Sequence, residues 1–154
     1  MTPPIDGIRP LDSRLGFVYV RAALRVRQLY TEQLADAGLL PNHHAILSIL
    51  NESGPCHQKL LASRVALDPG DIVAYLDALQ DMGYVSRERD PTDRRRQIVT
   101  VEKTGREVLA RADQLLTQAE STVFAPFTVE QKSALFTLSE QIRIRVDNLR
   151  VSSH

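Results

Sequence analysis

The chain has 154 residues, 43% of them hydrophobic, enough for one compact core with arms and too apolar for a disordered chain. Aromatic residues make up 5% and tryptophan is absent, which argues against a base-stacking platform for single-stranded nucleic acid. Lysine plus arginine and aspartate plus glutamate each number 19, so the formal net charge is zero and any hold on a polyanion has to come from local clustering of charge. Cys56 is the only cysteine. One thiol cannot form an intrachain disulfide, a pattern typical of a reducing compartment. The opening MTPPIDGIRPLDSR has no apolar run of signal-peptide length, and no stretch is apolar for long enough to span a bilayer. The expectation is a soluble, cytoplasmic protein with no membrane partner.

Residues 1–11 contain Pro3, Pro4, Gly7 and Pro10 and read as an irregular arm. Asp12 or Ser13 can cap a helix in which Leu15, Val18, Tyr19, Ala22, Val26, Leu29 and Tyr30 form one apolar stripe, with Gly38 at its end. Pro41 suits the first turn of a second helix, whose buried face is Ala45, Ile46, Ile49 and Leu50 and which Gly54-Pro55 stops. A short helix over about 58–66 carries Leu60, Leu61, Ala62 and Val65. After the turn Leu67-Asp68-Pro69-Gly70, Asp68 is a candidate N-cap and Pro69 a first helical residue. Ile72, Val73, Leu76 and Leu79 face the core and Gly83 ends that helix.

The period then changes. Residues 84–89 and 97–101 are two short β-prone runs joined by Asp90-Pro91-Thr92-Asp93-Arg94-Arg95-Arg96, a β-hairpin with a polar turn. Thr104 and Glu107 form a possible capping box for a helix to about Val123. Thr128 and Gln131 form another for a last helix to about Arg150.

Two short helices joined by a tight turn and followed by a hairpin make a winged helix-turn-helix, here flanked by long helices. The fold class expected is mainly α with a small β-hairpin wing. In this arrangement one helix can enter the major groove of duplex DNA while the hairpin reaches sideways to the minor groove, where negative potential is concentrated. The hairpin tip suits that role. Arg87, Arg89, Arg94, Arg95 and Arg96 stand against Glu88, Asp90 and Asp93. Three consecutive arginines at a loop apex repel one another, and an outside anion relieves the repulsion. Asp93 can brace one guanidinium and aim its neighbour.

From Leu40 to Leu109 the sequence resembles the MarR family of bacterial regulators. The resemblance rests on Leu61-Ala62, Leu67-Asp68, Ile72–Leu79, Met82-Gly83-Tyr84-Val85 and Arg87–Arg96, with Val99, Val101, Gly105 and Arg106 continuing it. The wing, Asp-Pro-x-Asp-Arg-Arg-Arg, is its most specific part, and the flanking helices extend it over about residues 12–150. The resemblance implies a homodimer bound to double-stranded DNA at a pseudo-palindrome, with dimerisation helices at 12–38 and 126–150, a DNA-binding domain at 41–101 and a linking helix at 102–124. It implies a repressor released by a small phenolic or anionic effector, with no cofactor. Arg95 corresponds to the minor-groove arginine, with Asp93 as its brace; Arg94 and Arg96 correspond to phosphate contacts.

The exposed face of the implied recognition helix carries Pro69, Gly70, Asp71, Ala74 and Tyr75. Asp71 departs from the family's usual Arg- or Ser/Thr-rich surface: it repels phosphate but can accept from cytosine N4, or serve only the helix dipole. Glu102 stands where relatives carry a capping Thr, so Thr104 is expected to take over the cap. Arg14, Tyr19, His43 and His44 are candidates for an effector pocket, with structural roles as the plainer reading. His43 and His44 diverge by about 100° on a helix and do not readily share a metal ion. Cys56 is expected in the loop before the helix-turn-helix, away from the first helix where family members place a sensing thiol. No nucleophile–base pair, phosphate-cradling glycine loop or zinc spacing is present, so the sequence gives no support to an enzyme. The zero net charge and Asp71 keep one alternative open, a winged-helix protein–protein module that has lost DNA binding.

Overall fold

A computed structural model describes residues 7–153 of the chain. Pro3 and Pro4 of the expected arm lie outside the described residues. The chain divides into two compact units, Met1–Leu116 and Thr117–His154.

The first unit contains α1 (Leu15–Ala35), α2 (Pro41–Ser53), β1 (Cys56–His57), α3 (Gln58–Val65), α4 (Asp71–Asp81), β2 (Val85–Arg89), β3 (Gln97–Val101) and the first part of α5 (Lys103–Val123). The second holds the end of α5 and α6 (Val129–Val151). Among the described residues no helix is long and apolar enough to cross a membrane.

The core of the first unit follows the apolar spacing of α2, α3 and α4. Leu34, Ile46, Leu47, Leu50, Leu61, Ile72, Leu76, Leu79 and Val99 are fully buried, each contributing about 1.5–3 kcal/mol by removal from water. Val73, expected in this core, faces outward instead at 38% exposed, and the apolar Leu60 of α3 is 46% exposed. The inward arc of each helix is already filled, by Leu61 and Ala62 in α3 and by Ile72, Leu76 and Leu79 in α4.

Helix ends depart from expectation in three places. Neither Asp12 nor Ser13 caps α1. Residues Leu11–Ser13 form one 3₁₀ turn, the Ser13 hydroxyl donates to the Pro10 carbonyl (2.7 Å), Asp12 pairs with Arg21 (3.1 Å), and Arg14 takes the N-cap position with no side-chain cap. At α4 the carbonyl of Asp68 accepts from the N–H groups of Asp71 (3.0 Å) and Ile72 (3.2 Å), so helical bonding starts at the expected residue although regular helix begins at Asp71. At α5 the expected box of Thr104 and Glu107 does not form. The helix starts at Lys103, the Glu102 carbonyl accepts from the Arg106 N–H (3.0 Å), and the Thr104 hydroxyl donates to the Gly83 carbonyl (2.6 Å). The box of Thr128 and Gln131 on α6 forms as expected, at 2.9 and 3.1 Å.

Gly83 closes α4 with φ +78°. The Tyr84 N–H reaches the Leu79 carbonyl and the Gly83 N–H the Gln80 carbonyl, both at 2.9 Å, a Schellman turn that needs the left-handed conformation. Gly38 ends α1 by the same bonding pattern. Ala66 does so after α3 at φ 60°, a conformation an alanine adopts only at a cost of about 1 kcal/mol.

The sheet holds one strand more than the expected hairpin. Its order is β1-β3-β2, all antiparallel, with Cys56 opposite Val99, His57 opposite Ile98, and Arg87 opposite Val99 across β2 and β3. Cys56 is therefore a strand residue and not a loop residue. It is buried, its thiol donates to the His57 carbonyl (3.4 Å), and desolvation by that burial pushes its pKa up against the opposing charge of Arg64.

Candidate nucleic-acid interface

The β2–β3 hairpin projects a seven-residue loop, 90–96, whose conformation is set by two aspartates. Asp90 is buried. Its Oδ1 accepts from the Thr92 N–H (2.8 Å) and hydroxyl (2.7 Å), its Oδ2 lies 2.8 Å from Nε2 of His57, and its own N–H donates to the Arg96 carbonyl (2.9 Å). With a carboxylate as partner, Nε2 of His57 carries the proton. The Thr92 hydroxyl, then His57, then the Thr92 N–H hold the Asp90 carboxyl far below the usual carboxylate range.

Asp93 organises the apex. It accepts from the Arg95 N–H (3.1 Å), Nε (3.0 Å) and Nη2 (3.2 Å) and forms an ion pair with Arg96 at 3.5 Å, while its carbonyl accepts from the Arg96 N–H (2.9 Å). The forked contact from Arg95, with that residue's backbone N–H, lowers the Asp93 pKa. The bracing expected from the sequence is therefore present in the geometry. The loop is not folded inward, since the side chains of Arg95 and Arg96 are 91% and 61% exposed. Arg94 is also exposed.

Arg87 and Arg89 are placed differently. Arg87 donates to Gln80 (2.8 Å) and pairs with Asp77, both on α4, and its side chain is only 17% exposed. Arg89 donates to the Arg94 carbonyl (2.7 Å), across the neck of the loop. Both hold the wing's shape, one from the helix side and one from within.

On α4 and the turn before it, Pro69, Gly70, Asp71 and Ala74 are exposed and contiguous. Tyr75 is half-buried, its ring edge-on to His43 at 5.4 Å. A cleft of about 580 Å³ separates this surface from the wing; Gln58, Lys59 and Ser63 of α3 line it together with Pro69, Arg95 and Arg96. Sequence reasoning passed over Gln58, Lys59 and Ser63, although a polar run at the start of the first short helix was visible. It also passed over the buried role of Asp90, which reads in sequence as one more charge in a solvated turn.

The four candidates for an effector pocket are not gathered into one group by their contacts. His43 is buried and its Nδ1 accepts from the Leu40 N–H (3.0 Å) as the third residue of α2. Nε2 of His44 lies 2.7 Å from Oδ1 of Asp113 on α5. Arg14 is exposed at the start of α1, and Tyr19 is half-buried one turn along. No group of three or more His, Cys, Asp or Glu among the described residues is placed to hold a metal ion.

Comparison with known proteins agrees with this geometry. The MarR family model matches residues 39–96. The HTH-type transcriptional regulator TtmR of Methylorubrum extorquens is 31% identical over 144 residues, 94% of this chain and 68% of that one. The HTH-type regulator YcgE of Bacillus subtilis is 30% identical over 110 residues, 71% of each chain. Among solved structures, the transcriptional repressor CouR bound to a 23-mer DNA duplex superposes with a TM-score of 0.82 at 30% identity, covering 86% of this chain and 94% of that one. The same repressor bound to p-coumaroyl-CoA superposes at 0.78.

Proposed function

The chain belongs to the MarR family of transcriptional regulators, and from that premise we propose that it binds a pseudo-palindromic operator in duplex DNA as a homodimer and represses from it until a small effector binds. In this reading residues 41–101 are the DNA-binding domain, the helices within 12–38 and 126–150 build the dimer, and residues 102–124 join them. Arg95 enters the minor groove, Arg94 and Arg96 meet phosphates, and the face from Pro69 to Tyr75 lies along the major groove. Arg87 and Arg89 serve DNA by holding the wing.

The observation that carries this reading is the pairing of brace and exposure at the wing tip. Asp93 takes the inner edge of the Arg95 guanidinium and leaves its side chain 91% exposed, so the cation is aimed outward before any DNA arrives. That ordering reduces the side-chain entropy lost on binding. On α4, Asp71 and Ala74 offer the bases one acceptor and one methyl group. Recognition therefore leans on the wing and on groove shape.

The effector proposed is a phenolic or anionic molecule, the chemistry that CouR meets in p-coumaroyl-CoA. Burial of His43 and the His44–Asp113 pair leave Arg14 and Tyr19 as the better placed of the four candidates. As a MarR-family regulator, the protein is placed by this proposal in the cytoplasm, acting by binding and not by catalysis.

The test is an electrophoretic shift with the chain's own upstream promoter region across a salt series. Binding should fall steeply with salt, by about 0.9 in log–log slope for each phosphate neutralised. Arg95→Ala should weaken it while leaving the melting temperature unchanged. No retardation at low salt by a folded, dimeric sample would favour the protein-interaction alternative.

A further inference from the structure

His57 occupies the N-cap position of α3, yet its side chain makes no capping bond there. An N-cap that offers an acceptor to the first free N–H groups contributes about 1 kcal/mol to a helix, and this helix forgoes it. The imidazole instead reaches past β3 to the wing, where Nε2 donates to Oδ2 of Asp90 at 2.8 Å. Asp90 is the buried anchor of the loop, binding Thr92 on one side and the Arg96 carbonyl through its own N–H. The link thus runs from the first residue before α3, through Asp90, to the backbone of Arg96.

We infer that His57 is a positioning residue for DNA binding, tying the wing to the helix-turn-helix so that the arginine tip and α3 face the same stretch of duplex. The two bodies it joins share one surface. Gln58 and Lys59, which follow His57 directly, line the cleft opposite Arg95 and Arg96. β1 contributes only two residues to the sheet, Cys56 and His57. Backbone pairing at that corner is short, and the side-chain bond is what reaches from it to the loop beyond the end of β2. This inference rests on the proposed DNA-binding function and adds to it a residue that need not touch DNA.

The competing explanation is that His57 merely stabilises the fold, and one substitution separates the two. His57→Ser cuts the bond to Asp90 and supplies the missing cap. The cap offsets part of what the lost bond costs, so its melting temperature should shift by no more than about 2–4 °C in either direction, while duplex affinity falls. If the wing is then correctly placed only about 10–30% of the time, affinity drops roughly three- to tenfold. His57→Gln carries an amide nitrogen the same number of bonds from the backbone as Nε2 and should restore binding.

The measurement is fluorescence anisotropy on a random-sequence 30-base-pair duplex, at several salt concentrations, with full-length protein. Wild type, His57→Ser, His57→Gln and Arg95→Ala are compared, and amide exchange at Thr92 and Arg96 is followed in parallel. The expected result is weaker binding by both Arg95→Ala and His57→Ser, a shallower salt slope in Arg95→Ala alone, faster exchange at the two amides in His57→Ser alone, and a return to wild type in His57→Gln. An unchanged affinity in His57→Ser, with Arg95→Ala weakened, overturns the inference and leaves the wing assignment standing. A wild-type protein that binds no duplex at any salt overturns the functional reading itself.

Discussion

His43 shows how a residue that attracts functional readings can be spent on structure. It is buried, its Nδ1 receives the Leu40 N–H at the start of α2, and its ring packs edge-on to Tyr75. Burial lowers its pKa from the ordinary 6.5. A base whose folded pKa is depressed makes the unfolded chain the better proton acceptor, so its contribution is complete above 6.5 and declines as pH falls toward the lowered value. His43→Gln keeps an acceptor for the Leu40 N–H and removes the titration. Calorimetry from pH 7.5 down to 5.5 should show wild type losing melting temperature more steeply than His43→Gln, whatever the offset between them. Parallel profiles would show that His43 is not the source. Asp90 and Asp93 behave in the same sense at lower pH. Their pKa values are depressed, so what they contribute to wing order is in place above the ordinary carboxylate range and is lost progressively as pH falls below it.

At the scale of elements, periodicity made most of the architecture legible. α2, α3 and α4 lie where their apolar spacing put them, and the change to a period of two marked both wing strands. What stayed hidden was tertiary. β1 has two residues and no period to read, and exists because β3 offers it an edge. Val73 looks like a core residue in a local window, and only the filled arc beside it turns it outward. Thr104 looks like a cap and is drawn away because the end of α4 presents the Gly83 carbonyl to it. In the wing, the Asp93–Arg95 brace was legible because both groups are adjacent in sequence, whereas the Asp90–His57 bond joins residues 33 apart.

The same junction of α4 and α5 explains Gly105. A Cβ at this position would sit 2.2 Å from the Tyr84 carbonyl oxygen and 2.9 Å from a methyl of Val101. The first of these is backbone, already held by the Glu102 N–H at 2.8 Å, and cannot move without opening the junction. Gly105→Ala should therefore destabilise the fold by about 2–4 kcal/mol, more than the usual single overpacking event in a core. Denaturant unfolding checks it, and a midpoint shift below about 1 kcal/mol would mean that α5 can slide away from the Tyr84 turn.

For the molecule as a whole, zero net charge and bare apolar helices belong to one argument. Without a net positive charge, long-range attraction to DNA is weak, and affinity has to be assembled from short-range contacts, which the proposed function places at the wings. Two protomers held together double those contacts, because the second half-site is then met at an effective concentration set by the dimer. The single chain is built as if for such a partner. α6 has 23 residues and buries none of them, and Phe136 and Leu149 are 73% and 69% exposed. On α1, Leu15 and Leu24 are 83% and 61% exposed. An isolated helix with no buried face is marginal in water, so these faces call for cover. Sedimentation of wild type at micromolar concentration should give about twice the 17.3 kDa chain mass. Burying one phenylalanine contributes about 1.5–3 kcal/mol and a dimer holds two copies, so Phe136→Glu should loosen the dimer by roughly 100-fold or more. Operator affinity should fall with it, by up to about 10²- to 10⁴-fold where the dimer comes apart, although residue 136 lies outside the proposed DNA-binding domain. A wild-type chain that sediments as a monomer and still binds an operator tightly would show that this apolar surface serves something other than self-association.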